Sequence, residues 1–477
     1  MLRSVFHILL LLAWSGAALS QAGGGDAPER IVGAAFARGG AMSFLETLTD
    51  TVGGRVTGST ESGKAAELIL KTLREAGFAN AHYEEFPLGM GWKRGVARGA
   101  VLGEVRQEIQ VGSYGWAPGT GGPIRVPLAV CSATAEGKCS EDVTPLRGAA
   151  VLVNLDLGVN SYAANYVVLR AAIAKELARA GAAAMLIASE KPDRMLYTSG
   201  AGFYPRAPLP VLSVGKEDSL FLRRLLVKGG VTVELDVQNT FVEHPGMERN
   251  VVADSPGGDD VVLVGAHFDS WEPAQGADDN GSGVAAVLDA ARILKSLGVK
   301  TRATLRFVFF SGEEQACLGS RAYIERHKAE LDHLWAALIV DDGAGMPTGF
   351  SLHGRSDLQA PLRHLLGALT PLRADEILPG GDLFSDDETF VVAGVPALSL
   401  TTVQGDYDNR HHTVIDTLDH IDARALALDT AVLAIAAFAI ANGDSAPGRR
   451  LSVREVLELL ERTKQREYVE LDFGGLK

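Results

Sequence analysis

Five short stretches of this chain set a His, Asp or Glu just after a run that reads as buried strand, or just before a helix. They are AHFDS at 266–270, QGADDNGSG at 275–283, SGEEQ at 311–315, LIVDDG at 338–343 and HHTVIDT at 411–417. Around them, strand-like and helix-like runs alternate with the period of a mostly parallel sheet. DDVVLVGAHFDS reads as strand, GSGVAAVLDAARILKSLG as helix, RATLRFVFFS as strand and LWAALIVDD as strand. Open α/β sheets bind ligands at the carboxyl ends of their strands. His267 and Asp269 end one strand, Glu313 and Glu314 the next, and Asp341 the third, while Asp279 opens the helix between the first two. Strand order therefore brings these side chains to one edge.

Each motif alone is commonplace. A His at a strand end is usually structural, a Glu-Glu pair is usually solvated, and GADDNGSG or Asp341-Asp342 could serve as turn and helix cap. All of them in order on one scaffold meet the needs of a two-zinc site. Such a site wants one bridging carboxylate, one His per metal and one further carboxylate per metal, around a water whose pKa falls from about 15.7 towards roughly 7. Asp279 is the candidate bridge. His267 with Asp341 would hold one Zn2+ ion, and Glu314 with His412 the other. Glu313, beside a ligand but not one itself, would be the general base. Asp269, two residues after His267, is placed to accept its second ring N–H. Two positions stay open: His411 beside His412, and Asp278 beside Asp279.

At 477 residues the chain exceeds one ordinary domain. The net charge of −14, with no dense Lys/Arg block, argues against nucleic acid and anionic membrane as partners. Residues 1–20, MLRSVFHILLLLAWSGAALS, read as a signal peptide: Arg3 as n-region, an apolar core, then Ala18-Leu19-Ser20 as cleavage site. The mature protein is expected outside the cytoplasm, secreted or periplasmic, with no membrane span. The late run DARALALDTAVLAIAAFAIANG is apolar enough for a span, but Arg424 and Asp429 interrupt it and a buried helix is the better reading. Of three cysteines, Cys131 and Cys139 could pair in an oxidising compartment or stay as thiols. Cys317 reads as a buried thiol.

The chain divides into a leader at 1–20, a first part of the main domain at 21–95, an inserted mixed α/β domain at 96–244, a second part with the ligands at 245–445, and a C-terminal helix and tail at 446–477. The insert holds no ligand-like cluster. The tail opens with a capping box, Ser452 to Glu455.

With these motifs in hand, the chain resembles the M28 family of zinc peptidases, and within it a dipeptide-cleaving carboxypeptidase branch. LTDTVGGRVTGSTESGKAAE, GWKRG, AHFDSWEPAQGADDNGSG, GEEQACLGS, DDGAGMPTG, SDDETF with GVPALSL, and HHTVIDT carry the likeness. It implies the same ligand set on His267, Asp279, Glu314, Asp341 and His412, with Glu313 as base and two Zn2+ ions. It implies a fold of class α/β: a mostly parallel-sheet zinc exopeptidase domain, phosphorylase/hydrolase-like, with an inserted protease-associated-type α/β domain. It further implies a homodimer, and small peptide substrates, unblocked dipeptides above all. Ala266, Phe268, Asp278 and Asn280 depart from the branch's usual residues, as does the Cys131–Cys139 pair, which puts substrate preference in doubt. The rivals are an aminopeptidase on longer peptides, a glutaminyl cyclase and a non-catalytic binding ectodomain.

Overall fold

The computed structural model describes residues 26–104, 106–134, 137–140, 146–155, 163–201, 206–243 and 246–473. The leader at 1–20 lies outside them. Two eight-stranded sheets and one two-stranded ribbon make up the β-structure of the described residues.

The larger sheet runs in the order His82–Pro87, Met247–Ser255, Thr304–Phe310, Val261–His267, Leu334–Ile339, Ala397–Thr402, Pro347–Ser351, Glu376–Leu378. Its middle four strands are parallel. Strands Met247–Ser255 and His82–Pro87 add antiparallel on one side, and Pro347–Ser351 on the other. Strand Val261–His267 is buried along its whole length. Val262, Val264 and Ala266 join one core, and Val261 and Leu263 join the core on the opposite face. A two-sided core requires such an unbroken apolar run. Helices Ser282–Ser296 and Ala423–Ala441 cover the first face, and helices Leu318–Arg326, Asp387–Val392 and Val453–Thr463 the second.

The helix Ala423–Ala441 is long and apolar enough to cross a membrane, yet most of its residues are buried inside the protein. Each buried Leu, Ile or Val there contributes about 1.5–3 kcal/mol relative to exposure. Asp429 sits in this core, 2 % exposed, with Oδ1 lacking a hydrogen-bond partner. Burial, then the fields of Asp342 and Asp278, push its carboxyl well above the usual range. A carboxyl raised by folding weakens the fold once pH climbs past the unfolded carboxylate range near 4, and increasingly so up to its folded pKa. Asp429→Asn is therefore expected to stabilise the protein, by at least about 1 kcal/mol more at pH 8 than at pH 5. Thermal unfolding of both chains at both pH values checks this; an equal gain at the two would refute it.

The smaller sheet lies within the insert, in the order Gln107–Ile109, Ala97–Leu102, Thr232–Val237, Ile124–Ser132, Ala150–Asn154, Ala184–Ala188, Val211–Val214, Val111–Ser113. Its last four strands before the edge are parallel. Cys131 and Cys139 form a disulfide, which resolves that open pairing. Cys317 is buried outside it. The insert leaves and rejoins the larger sheet through neighbouring strands: Pro87 pairs with Met247, and Gly91–Lys93 pairs with Thr240–Val242. Three tryptophans, Trp92, Trp116 and Trp271, pack together at this junction with Val56.

Several elements differ from the sequence reading, among them strand Met247–Ser255 and helix Asp387–Val392, which it did not contain. Helix Ala27–Arg38, strand Pro347–Ser351 and the edge strand Glu376–Leu378 were not anticipated either. The tail is two helices, Val453–Thr463 and Arg466–Asp472. The first begins with the expected box, Ser452 and Glu455 each capping the other's backbone; such a cap contributes about 1 kcal/mol.

Candidate active site

His267 ends its strand, and Asp341 follows the neighbouring strand Leu334–Ile339. Parallel register sets them side by side, with His267 Nε2 3.1 Å from Asp341 Oδ1. Asp279 enters from the loop ahead of helix Ser282–Ser296. Its Oδ1 lies 3.4 Å from His267 Nε2, and its Oδ2 lies 3.0 Å from His412 Nε2. One carboxylate thus faces both histidines, as a bridge must. His412 Nε2 is also 3.2 Å from Glu314 Oε2. All five sequence-derived ligands converge, and Glu313 Oε2 stands 4.0 Å from His267 Nε2.

The two open alternatives separate by contact. Asp278 is held by Arg410, which donates to its Oδ2 at 2.7 and 3.0 Å, while its Oδ1 accepts from Ala344 N–H at 2.8 Å. It is committed to that ion pair. His411 stacks on His412 with ring centroids 3.8 Å apart, and its Nε2 lies 3.6 Å from Asp279 Oδ2. It forms a compact group with Asp279 and His412, but its contacts lack the glutamate that His412 has. Burial and the neighbouring His412 push its imidazole down to about 3, so it is neutral at physiological pH.

Asp269 is near His267 as expected, but the closest acceptor for Nδ1 is the Asp269 main-chain oxygen at 3.1 Å, with the carboxylate at 3.5 Å. The carboxylate accepts instead from Thr57 Oγ1 at 2.8 Å and from the backbone N–H groups of Glu313 and Glu314, both at 3.3 Å. It therefore holds the Glu-Glu turn against the first strand.

Several residues around the site were not foreseen. Asp416 accepts from the backbone N–H of Asp278 at 2.6 Å and of Asp279 at 3.3 Å, fixing the segment that carries the bridge. Arg55 is fully buried and donates to the main-chain oxygens of Phe268, Gly53, Gln275 and Gly276 at 2.6–3.0 Å. It staples the ends of two ligand segments together. Gly276 has φ +63°, and a Cβ there would come within 2.4 Å of Ser270 and 2.9 Å of the Arg55 guanidinium, so this turn requires glycine. From the insert, Tyr197 Oη lies 3.2 Å from His412 Nδ1, and Thr198 N–H donates to the His412 carbonyl at 2.9 Å. His412 itself has φ +59°, a conformation costing a non-glycine residue on the order of 1–3 kcal/mol unless its surroundings hold it. The insert, which the sequence showed without a ligand-like cluster, thus reaches the site through contacts to His412. Asp416, Arg55 and Gly276 lie in stretches whose pattern drew attention; Tyr197 and Thr198 do not.

The donor set fits divalent metal. Asp279, Glu313, Glu314 and Asp341 meet around two histidines. Burial, followed by like charge, pushes Glu313 well above the usual carboxylate range and Glu314 to about 7. Burial alone would lower His267 and His412, but Asp341 and Glu313 raise the first and Glu314 the second. Glu314 Oε1 is buried with no hydrogen-bond partner. Excess buried carboxylate with an orphaned oxygen calls for a cation.

The comparisons agree with this chemistry. Residues 250–437 match Peptidase family M28. Carboxypeptidase Q of Mus musculus is 29% identical over 412 residues, covering 84% of this chain and 85% of its own. A probable lipoprotein aminopeptidase, LpqL of Mycobacterium tuberculosis, is 28% identical over 449 residues, covering 83% of each. The crystal structure of a Peptidase M28 precursor from Shewanella amazonensis superposes with a TM-score of 0.79 at 26% identity, covering 90% of this chain and 98% of that one. The chain thus carries a Peptidase family M28 domain at residues 250–437 and is a metallo-exopeptidase.

Proposed function

We propose that this protein is a co-catalytic zinc exopeptidase of short peptides, with unblocked dipeptides as its foremost substrates. The observation that carries this reading is Asp279, whose two oxygens face His267 at 3.4 Å and His412 at 3.0 Å. His267 and Asp341 would hold one zinc ion, His412 and Glu314 the other, and Asp279 both. When bound, zinc lowers the pKa of water and polarises a carbonyl oxygen. Glu313 takes a proton from the attacking water and passes it to the leaving nitrogen. Burial, then Asp341 and Glu314, raise the Glu313 carboxyl above the usual carboxylate range, the direction a proton carrier needs. Asp269 holds the Glu313 and Glu314 backbone, and Asp416 holds the Asp279 backbone.

The insert segment at 197–198 lies against His412. A wall that close to the ligands supports short substrates. We read the insert as a protease-associated-type domain and the working form as a homodimer. We also read the site of action as outside the cytoplasm, on the strength of the leader at 1–20 and the Cys131–Cys139 disulfide. The aminopeptidase reading keeps one point in its favour, the similarity to LpqL.

Amino-acid release from unblocked dipeptides, N-acetylated dipeptides and unblocked tetrapeptides, tested side by side with zinc-loaded protein, separates these readings. Release confined to unblocked dipeptides is the expected outcome. Stepwise N-terminal release from tetrapeptides would make it an aminopeptidase instead. No release from any would favour the cyclase or the binding ectodomain.

A further inference from the structure

The two site histidines use their second ring nitrogens differently. His267 Nδ1 is served from within its own segment, by the Asp269 carbonyl two residues on, at 3.1 Å. His412 Nδ1 meets Tyr197 Oη at 3.2 Å, from a residue of the insert more than two hundred positions away. Neutral imidazole carries one N–H. With Nε2 turned to Asp279 and Glu314 at 3.0 and 3.2 Å, metal binding there needs the Nε2 lone pair. The proton must then sit on Nδ1, where the phenol oxygen accepts it.

Tyr197 is itself braced. Its ring lies 5.4 Å from His412 and 6.4 Å from Tyr114, and the Arg170 guanidinium sits 4.8 Å over Tyr114. The next residue, Thr198, donates to the His412 carbonyl through its backbone N–H at 2.9 Å and its hydroxyl at 3.3 Å. A single insert strap thus grips both the ring and the main chain of one histidine.

We propose that Tyr197 is a positioning residue that fixes the tautomer and direction of His412, so that the insert sets the zinc affinity of the His412–Glu314 half of the site. The proposal rests on the zinc reading above. Binding at that half and seating of the insert strap are reciprocally linked. The His267–Asp341 half, oriented from within its own loop, is independent of the insert.

The test is zinc titration against a competing chelator for the native chain, Tyr197→Phe and the control Tyr83→Phe, which lies on the edge strand His82–Pro87. Thermal unfolding is followed with and without zinc. Tyr197→Phe is expected to hold one zinc with native affinity and the second about 10–100-fold more weakly, the usual range for losing such a partner. Its metal-free unfolding temperature is expected to match the native value, while its zinc-dependent rise shrinks. Tyr83→Phe is expected to behave as native. Native affinity for both ions in Tyr197→Phe would overturn the proposal, as would an equal loss of stability with and without zinc, the mark of a merely structural prop. A native chain that takes up no zinc would overturn the zinc reading and this assignment together. A native chain that binds zinc beside a variant that binds it equally well overturns this assignment alone.

Discussion

Glu313→Gln is expected to bind zinc as the native chain does and to turn over at least about 10²-fold more slowly, the scale lost with a positioned acid/base. Glutamine keeps the shape and the backbone hydrogen bond to Asp269 at 3.3 Å, but its amide cannot accept and return a proton. Glu313 is not needed as a ligand, because each histidine has a nearer carboxylate: Asp341 at 3.1 Å for His267, and Asp279 at 3.0 Å for His412. The loss should fall on kcat, with KM little changed, since a proton carrier acts in the transition state rather than in binding. Zinc content and dipeptide turnover measured on the same preparation decide it. Near-native kcat at full zinc would remove Glu313 from the role of base.

Asp279→Asn is expected to lose both metal and activity, and to lose more metal than His267→Ala. The two carboxylate oxygens of Asp279 each face a different histidine, so one substitution reaches both halves of the site. An amide offers a single good acceptor and no charge. Asp279 is also the one carboxyl of the four in the site that is favoured as an anion: burial opposes its charge, but hydrogen bonds from His267 and His412 hold it well below the usual carboxylate range, while Glu313, Glu314 and Asp341 are raised. His267→Ala removes one donor and leaves His412, Glu314 and Asp279 together. Zinc retained after dialysis, read by elemental analysis, should therefore fall in the order native, His267→Ala, Asp279→Asn. Full occupancy in either variant would refute the ligand assignment.

The candidate ligands were legible because their chemistry is written in residue types that a strand end otherwise rarely combines. His267, Glu313–Glu314 and Asp341 each close a buried strand, and parallel register does the rest. The groups that hold those ligands were not legible in the same way. Tyr197 lies in a loop of ordinary composition, and only the folded path of the insert brings it to His412. Arg55 looks in sequence like a surface cation; its burial depends on four carbonyls from distant segments that converge only in the fold. Asp416 stood within a recognised motif, yet its role as acceptor for two backbone N–H groups depends on how 278–279 turns. Asp269 was right in position and only partly right in role, because a main-chain oxygen lies nearer to the ring nitrogen than the side chain does. Among secondary elements, the missed strands Pro347–Ser351 and Glu376–Leu378 are short and lie at or next to one sheet edge, where propensity is a weak guide, while the missed strand Met247–Ser255 opens on the polar run Glu248-Arg249-Asn250, which breaks the apolar pattern.

The insert departs from the catalytic sheet after Pro87 and returns at Met247, its paired neighbour. Its two ends are therefore as close as those of a hairpin turn, and all five candidate ligands, His267, Asp279, Glu314, Asp341 and His412, lie outside it. Such an arrangement behaves as a cassette. The inserted segment can change in length without breaking a strand pairing of the larger sheet, provided the hold of 197–198 on His412 is kept. The cassette touches the tryptophan joint, where a Cβ at Gly115 would come within 2.1 Å of Trp271, and His412. One contiguous stretch of the chain therefore carries both the wall beside His412 and the hold on that residue.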